Sequence, residues 1–422
     1  MLFMMKANKA FLYLTLTVAL LSVKQILAQS EGLTSSPYSL YGLGIINQTS
    51  IGRSNSMGYT GIGLKTETEI NNLNPSNFAL IPQNSFFYDV GIMGEYNNYS
   101  NKGSDETRTT LNFSNLAFAF RITEGFGAGI TLVPYSDVGY SLVGVQTNIE
   151  GSDETFESNI TGLGGLNDFR VNLGYSITDK LRLGASASLL FGNIEEDEAF
   201  VISNSVFQLT ETTNYRGFRL GLGMQFDLTE KITIGGTIQF PTDLNGSLKR
   251  SVFKTLDGEE VIVEDEEADT TADFKMPMEL GFGLSAKFFK TLTLSTDYKK
   301  NYWDNTGQTE NIGDYVDQDI YAFGLEYIKD PSSYKYKDRI RYRAGFNYDN
   351  GYLAINDAQI DGYNITGGIG LPIGQGNNSI LNLSYSYGLK GQIQNILIKE
   401  DYHLLTLNMS LEDLWFRKRK IN

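Results

Sequence analysis

The sequence predicts an all-β protein, a transmembrane antiparallel β-barrel of about fourteen strands with an N-terminal plug (hatch) in its lumen. Three observations predict it. Apolar and polar residues alternate along nearly the whole chain after residue 84. Short turns and long polar connections follow one another in strict order, and the residues ahead of the first strand lack the alternation altogether.

The chain opens with "MLFMMKANKAFLYLTLTVALLSVKQILAQS", in which Lys6 and Lys9 precede an apolar run from Ala10 to Val23 and small Ala28 stands where a signal peptidase cuts. Residues 1–28 are expected to be a cleaved secretory signal peptide. The run stops at Lys24 and Gln25, short of the roughly 20 residues of a membrane helix. Removing Lys6, Lys9 and Lys24 from 34 basic side chains leaves 31 against 49 acidic ones, a formal charge of −18. A nucleic-acid binder needs the opposite sign. The chain has no cysteine, hence no disulfide and no thiol for lipid attachment.

Strand by strand, the alternation assigns faces. In "RGFRLGLGMQFDL", Phe218, Leu220, Leu222, Met224, Phe226 and Leu228 share one side against Arg219, Gly221, Gly223, Gln225 and Asp227. "LNLSYSYGL" from Leu381, "KLRLGASASLLF", "KITIGGTIQF" and "FRVNLGYSI" repeat it. A soluble sandwich alternates too; small residues on the polar face and aromatics near the ends of the apolar face favour a membrane barrel.

Turn candidates fall at residues 123–125, 178–180, 229–231, 289–291, 329–338 and 374–378. Long polar connections lie near 97–108, 150–156, 192–199, 255–272, 303–317, 349–361 and 390–401. Six turns among seven loops give an even strand count, a barrel over 85–412, and both termini on the short-turn, periplasmic side of a Gram-negative outer membrane. The loops at 150–157, 195–198 and 257–269 hold four, four and eight acids and no base, while the tail, residues 413–422, carries the basic run Arg417–Lys420 on the other side. Such loops are either solvated, self-repelling surface or hard-oxygen ligands for a cation or docking sites for a basic partner.

The segment 29–84 is rich in Gly, Asn and Ser, and its run "GRSNSMGYTGIGLKTETEINNLNPSNFAL" sets a glycine-rich stretch before Asn74, Pro75 and Ser76. This run resembles the N-terminal hatch of the FadL (OmpP1/FadL) family of outer-membrane transporters for long-chain fatty acids and aromatic hydrocarbons, whose motif ends in alanine where Ser76 stands here. "DRIRYRAGFNYDNGY" and "YNITGGIGLPIG" with "ILNLSYSYG" are similar to late strands of the same family. Physically, a fourteen-strand barrel encloses a space that must be filled or become a pore, and a folded insert rich in glycine turns can fill it. The other reading is a disordered leader, against which stand Tyr38, Leu40, Tyr41, Leu43, Phe78 and Leu80, which need burial.

Candidate site residues follow from the faces. If the apolar parity meets lipid, the other parity carries Arg121, Arg170, Arg182, Arg219, Glu279, Asp297, Glu326, Arg341 and Arg343 into the lumen. These form ion pairs that knit wall to plug, or one arginine receives the carboxylate of an amphipathic substrate through two parallel bonds. Pro134 cannot donate to a ladder, so the third strand breaks pairing or bulges there, unless this is an ordinary loop edge. The family resemblance implies a lateral gate at that kink, with Ser136 and Asp137 beside it.

No enzyme is expected. The single histidine, His403, shares parity with Leu405, Leu407 and Met409, which places it on the lipid face, and no phosphate-loop, zinc or dinucleotide spacing is present. No catalytic residue, cofactor or metal site is assigned. Resemblance implies passive uptake of hydrophobic or amphipathic small molecules such as long-chain fatty acids, with membrane lipid as its surroundings. The alternative is an accessory, non-transporting FadL-like subunit of an outer-membrane secretion or protein-assembly complex, docked to other proteins through the acidic loop at 255–272 and the basic tail.

Overall fold

A computed structural model describes residues 36–414 except 104, 149–154, 203–204, 257–258, 290, 311–312, 374–377 and 395–396. The expected signal peptide and the basic run Arg417–Lys420 lie outside the described residues, as do most of the turn at 374–378 and of the loop at 150–156.

The barrel strands run in chain order: β1 (Ser85–Ser100), β2 (Asp105–Thr123), β3 (Phe126–Asn148), β4 (Thr155–Ser176), β5 (Leu181–Ile202) and β6 (Ser205–Asp227). β7 comes in two pieces, Ile232–Gln239 and Thr242–Leu256, parted at Phe240 and Pro241, and β8 likewise, Glu259–Met276 and Glu279–Phe288, parted at Pro277 and Met278. Proline supplies no ladder N–H, so each ribbon bends where it stands. β9 (Leu292–Asn301), β10 (Gln318–Ile328), β11 (Arg341–Asp349), β12 (Gly362–Pro372), β13 (Ile380–Lys390) and β14 (Lys399–Leu414) complete the set. Each strand pairs antiparallel with the next, and β1 pairs with β14 from Ser85↔Leu414 to Ser100↔Lys399. Fourteen strands therefore close on themselves, and closure removes the sheet edges that hydrocarbon cannot satisfy.

The faces follow the alternation. On β6, Phe218 is 60% exposed on the outside while its neighbour Arg219 is 3% exposed on the inside. Outward Leu220, Leu222 and Met224 extend the same apolar belt, and Gln225 is fully buried.

The long connections differ from the loops that composition suggests. Residues 192–199 lie within β5, and most of 255–272 continues β7 and β8 as a hairpin. The reason is pairing: a polar chain beyond the membrane still gains a ladder, as in the unbroken register from Leu181↔Phe226 to Ile202↔Ser205. β3 has 23 residues and β13 has 11, roughly 75 and 36 Å at about 3.3 Å each, whereas a membrane strand needs about 9–11 residues. One side of the wall thus rises well beyond a bilayer core.

Two apolar clusters join residues of the N-terminal segment to residues of the strands and long connections. Ile51, Ile70, Phe78 and Ile81 pack with Phe87, Ala117 and Ala119. Tyr38 and Leu43 join Leu166, Leu190, Leu244, Trp303 and Tyr352 in the other. Trp303 and Tyr352, from two long connections, stack at 5.5 Å.

Candidate functional site

Asn74, Pro75 and Ser76 begin a short 3-10 helix, Pro75–Leu80, with proline at its first position, where a missing N–H costs nothing. The Asn74 side chain serves both sides of the turn. Its Oδ1 accepts from the Ser76 amide at 3.1 Å and the Ser76 hydroxyl at 2.8 Å, and its Nδ2 donates to the carbonyls of Ile62 at 2.9 Å and Met224 at 3.0 Å. Ser76 is not a neutral stand-in for alanine, because its hydroxyl adds a buried hydrogen bond. The motif lies flat on the wall: a Cβ at Gly184 would stand 2.2 Å from the Ser76 nitrogen, and one at Gly223 would stand 2.2 Å from Asn74 Oδ1. Glycines on the inward face of β5 and β6 are where this backbone approaches.

A second group ties the segment to the opposite wall by charge. Arg53 reaches Glu326 at 2.8 Å, and Arg343 reaches the other Glu326 oxygen at 2.7 Å. Glu69 accepts from Arg341 at 2.6 Å, from Arg343 at 3.2 Å and from Asn382 at 2.9 Å. All five charged groups are buried, so each depends on its partners to offset lost hydration. Burial pulls the Arg53 guanidinium below its ordinary value, with the Glu326 carboxylate opposing that fall. Elsewhere, Lys65 and Arg182 share Asp227 at 3.1 and 2.6 Å, and Asp297 accepts from the amides of Gly61 and Ile62 at 2.7 and 2.9 Å.

The remaining sequence-derived charges divide. Arg170 pairs with Asp168 at 2.6 Å and Arg219 with Glu279 at 2.6 Å, both within the wall. Arg121 sits half-buried at the end of β2, and its Nε donates to the Thr123 carbonyl at 2.9 Å, away from the network. Sequence reasoning did not pick out Arg53, Lys65 and Glu69, which lie in a segment without strand parity. A basic or acidic residue in an otherwise Gly, Asn and Ser segment was the available signal. His403 lies on the exterior face, its Nδ1 2.7 Å from the Tyr385 hydroxyl. Among the described residues no group of three potential metal ligands occurs.

Pro134 marks a break in the wall. The β2–β3 ladder ends at Leu116↔Leu132, while β2 continues beside β1 and β3 beside β4. A register shift between Pro134 and Ser136 leaves Tyr135 bulged and buried. The edge of β3 freed by β2 is taken up by the N-terminal segment. Ile45 and Ile46 pair with Asp137 and Ser136, the Asn47 amide donates to the Tyr135 carbonyl at 2.9 Å, and Gly139 N donates to Ser39 Oγ at 3.1 Å. Behind this break lies a cavity of about 230 Å3. Its lining includes apolar Met93, Val133, Pro134 and Leu404 and the carboxylates of Glu95, Asp137, Asp349 and Glu400.

The family described as BamG matches residues 8–422. No curated protein sequence matches the chain. Among solved structures, the chain is similar to the Pseudomonas putida toluene transporter TodX, with TM-score 0.60 and 16% identity over 87% of this chain and 99% of that one. The Ralstonia pickettii toluene transporter TbuX gives 0.58 and 17%, covering 86% and 98%. A Pseudomonas aeruginosa FadL homologue gives 0.59 and 13%, again covering 86% and 98%. At these identities the likeness is one of fold.

Proposed function

The chain belongs to the BamG family, and from that premise we propose that it is an accessory, non-transporting barrel subunit of an outer-membrane protein-assembly or secretion complex. In this reading it resides in the outer membrane of a Gram-negative cell, with both termini in the periplasm and residues 36–84 acting as a fixed plug.

The observation that carries the reading is the charge-packed lumen. A conduit for hydrophobic molecules calls for an apolar path between plug and wall. Here Arg53, Glu69, Glu326, Arg341 and Arg343 cross-link the two through a buried network, and the cavity behind Pro134 is lined by four carboxylates. Moving such a plug would strip buried charges of their partners, a change that costs several kcal/mol. The tall wall of β3 to β8 offers a surface beyond the bilayer for other proteins.

A second reading is passive uptake of hydrophobic or amphipathic small molecules, long-chain fatty acids among them. The break between β2 and β3 favours it, because a wall opening beside a cavity provides a side exit toward lipid.

Extraction from native membranes in mild detergent, followed by mass measurement of the intact particle, separates the two. A stoichiometric multi-protein particle is expected. A lone barrel carrying fatty acid or hydrocarbon would overturn the subunit reading in favour of uptake.

A further inference from the structure

The cavity behind Pro134 has an unusual balance of charge. Glu95, Asp137, Asp349 and Glu400 line it, with Lys390 the one basic residue among its lining. Lys390 holds its ammonium over the Tyr38 ring, 5.9 Å from the centroid. Among the described residues none of the four acids is in an ion pair. Asn97 donates to Glu95 at 2.6 Å and Asn47 to Asp137 at 2.7 Å, Gln318 and Gln48 donate to Asp349, and the Ser36 hydroxyl donates to Glu400. Asp137 is 5% exposed, and its Oδ1 has no hydrogen-bond partner among the described residues.

Neutral donors orient these carboxyl groups without supplying a counter-charge, and four acidic side chains against the single Lys390 around one small space favour a further cation within it. The carboxylates do not cluster closely enough to form a metal site among the described residues. Met93, Val133, Pro134 and Leu404 supply apolar surface alongside. We propose that this cavity binds a small amphiphile whose polar end is a primary ammonium, seated against Asp137 and Glu400 with its alkyl part toward Pro134 and the break in the wall. A carboxylate headgroup would meet four acidic side chains there against one lysine, so the site selects against fatty acids. Ligand class is assigned by the charge of the lining and stands whether the barrel works alone or in a complex.

The test is calorimetric titration of the purified full-length barrel in detergent, against protein-free micelles, with octylamine, octanol and octanoate. Octylamine is expected to bind about tenfold more tightly than octanol, a ratio equal to roughly 1.4 kcal/mol and on the scale of one charge-assisted hydrogen bond. Octanoate is expected to bind more weakly than octanol. Asp137→Asn and Glu400→Gln keep an acceptor for Asn47 and Ser36, and each should bring octylamine down toward octanol while octanol holds its value. Glu95→Gln takes the place of any variant in which octanol binding also falls. Equal binding of all three probes, octanoate binding as tightly as octylamine, or octylamine affinity unmoved by these substitutions would overturn the proposal. The isolated barrel is used, so this result is read separately from whether a multi-protein particle exists.

Discussion

One Glu69 oxygen accepts from both Arg341 and Arg343, at 2.6 and 3.2 Å, although 272 residues separate Glu69 from Arg341. The carboxylate comes from the N-terminal segment and the guanidinium pair from β11, so one acid joins that segment to the wall. Glu69→Ala leaves Arg341 without its acid while Arg343 keeps Glu326. Loss of about 3 kcal/mol in urea unfolding from lipid vesicles is expected, the range for stripping one partner from a buried pair. Glu69→Ala combined with Glu326→Ala should depart from additivity, since both acids serve Arg343.

Asp297 ties the backbone of the same segment. Its Oδ2 accepts from the amides of Gly61 and Ile62. Asp297→Ala should speed hydrogen exchange at both amides by about tenfold or more, as expected for losing a buried acceptor worth roughly 1–3 kcal/mol. Unchanged exchange at Gly61 and Ile62 would show that the segment is held by other contacts.

Gly58 has φ of +62°, and a Cβ there would stand 2.5 Å from the Phe346 carbonyl oxygen. Gly58→Ala is therefore expected to destabilise by at least about 1 kcal/mol through backbone strain together with a clash that rigid backbone cannot relieve. The same urea titration measures it. A stability within error of the parent would mean that the segment can lift off β11.

Ile46 pairs with Ser136 across the break in the wall, in a chain without cysteine. Oxidation of the double variant Ile46→Cys with Ser136→Cys should fasten the N-terminal segment to β3, since the two positions are direct cross-strand partners. The subunit reading expects co-purification with partners to be the same oxidised and reduced. The uptake reading expects entry of a hydrocarbon probe to stop on oxidation and return with reductant, which makes this pair a direct comparison of the two.

Trp303 is 2% exposed and stacks on Tyr352, with Tyr315 5.1 Å away. Trp303→Ala should cost about 3–5 kcal/mol as a large buried aromatic is removed. Protease cutting within residues 302–317 and 350–361, followed by mass spectrometry, reads the loosening locally. Resistance equal to the parent would show that the two connections hold without the stack.

Period-two alternation, the fourteen-strand count and the positions of the short turns among the described residues were legible in the sequence, because strand parity and turn chemistry are local properties written within a few residues. Parity also placed Arg182, Arg219, Asp297, Glu326, Arg341 and Arg343 on the inner face, and the missing N–H of Pro134 marked a bulge in β3. What the sequence could not supply was partners. Glu69 meets Arg341, and Arg53 meets Glu326, only because closure of the ring brings a segment without periodicity against strands hundreds of residues away. The length of the hairpins was equally hidden, since residues 192–199 and 255–272 read as polar loops until cross-strand ladders turned them into wall. The acidic cavity arises the same way: Glu95, Asp137, Asp349 and Glu400 come from four distant parts of the chain, and only the closed barrel sets their charges around one space.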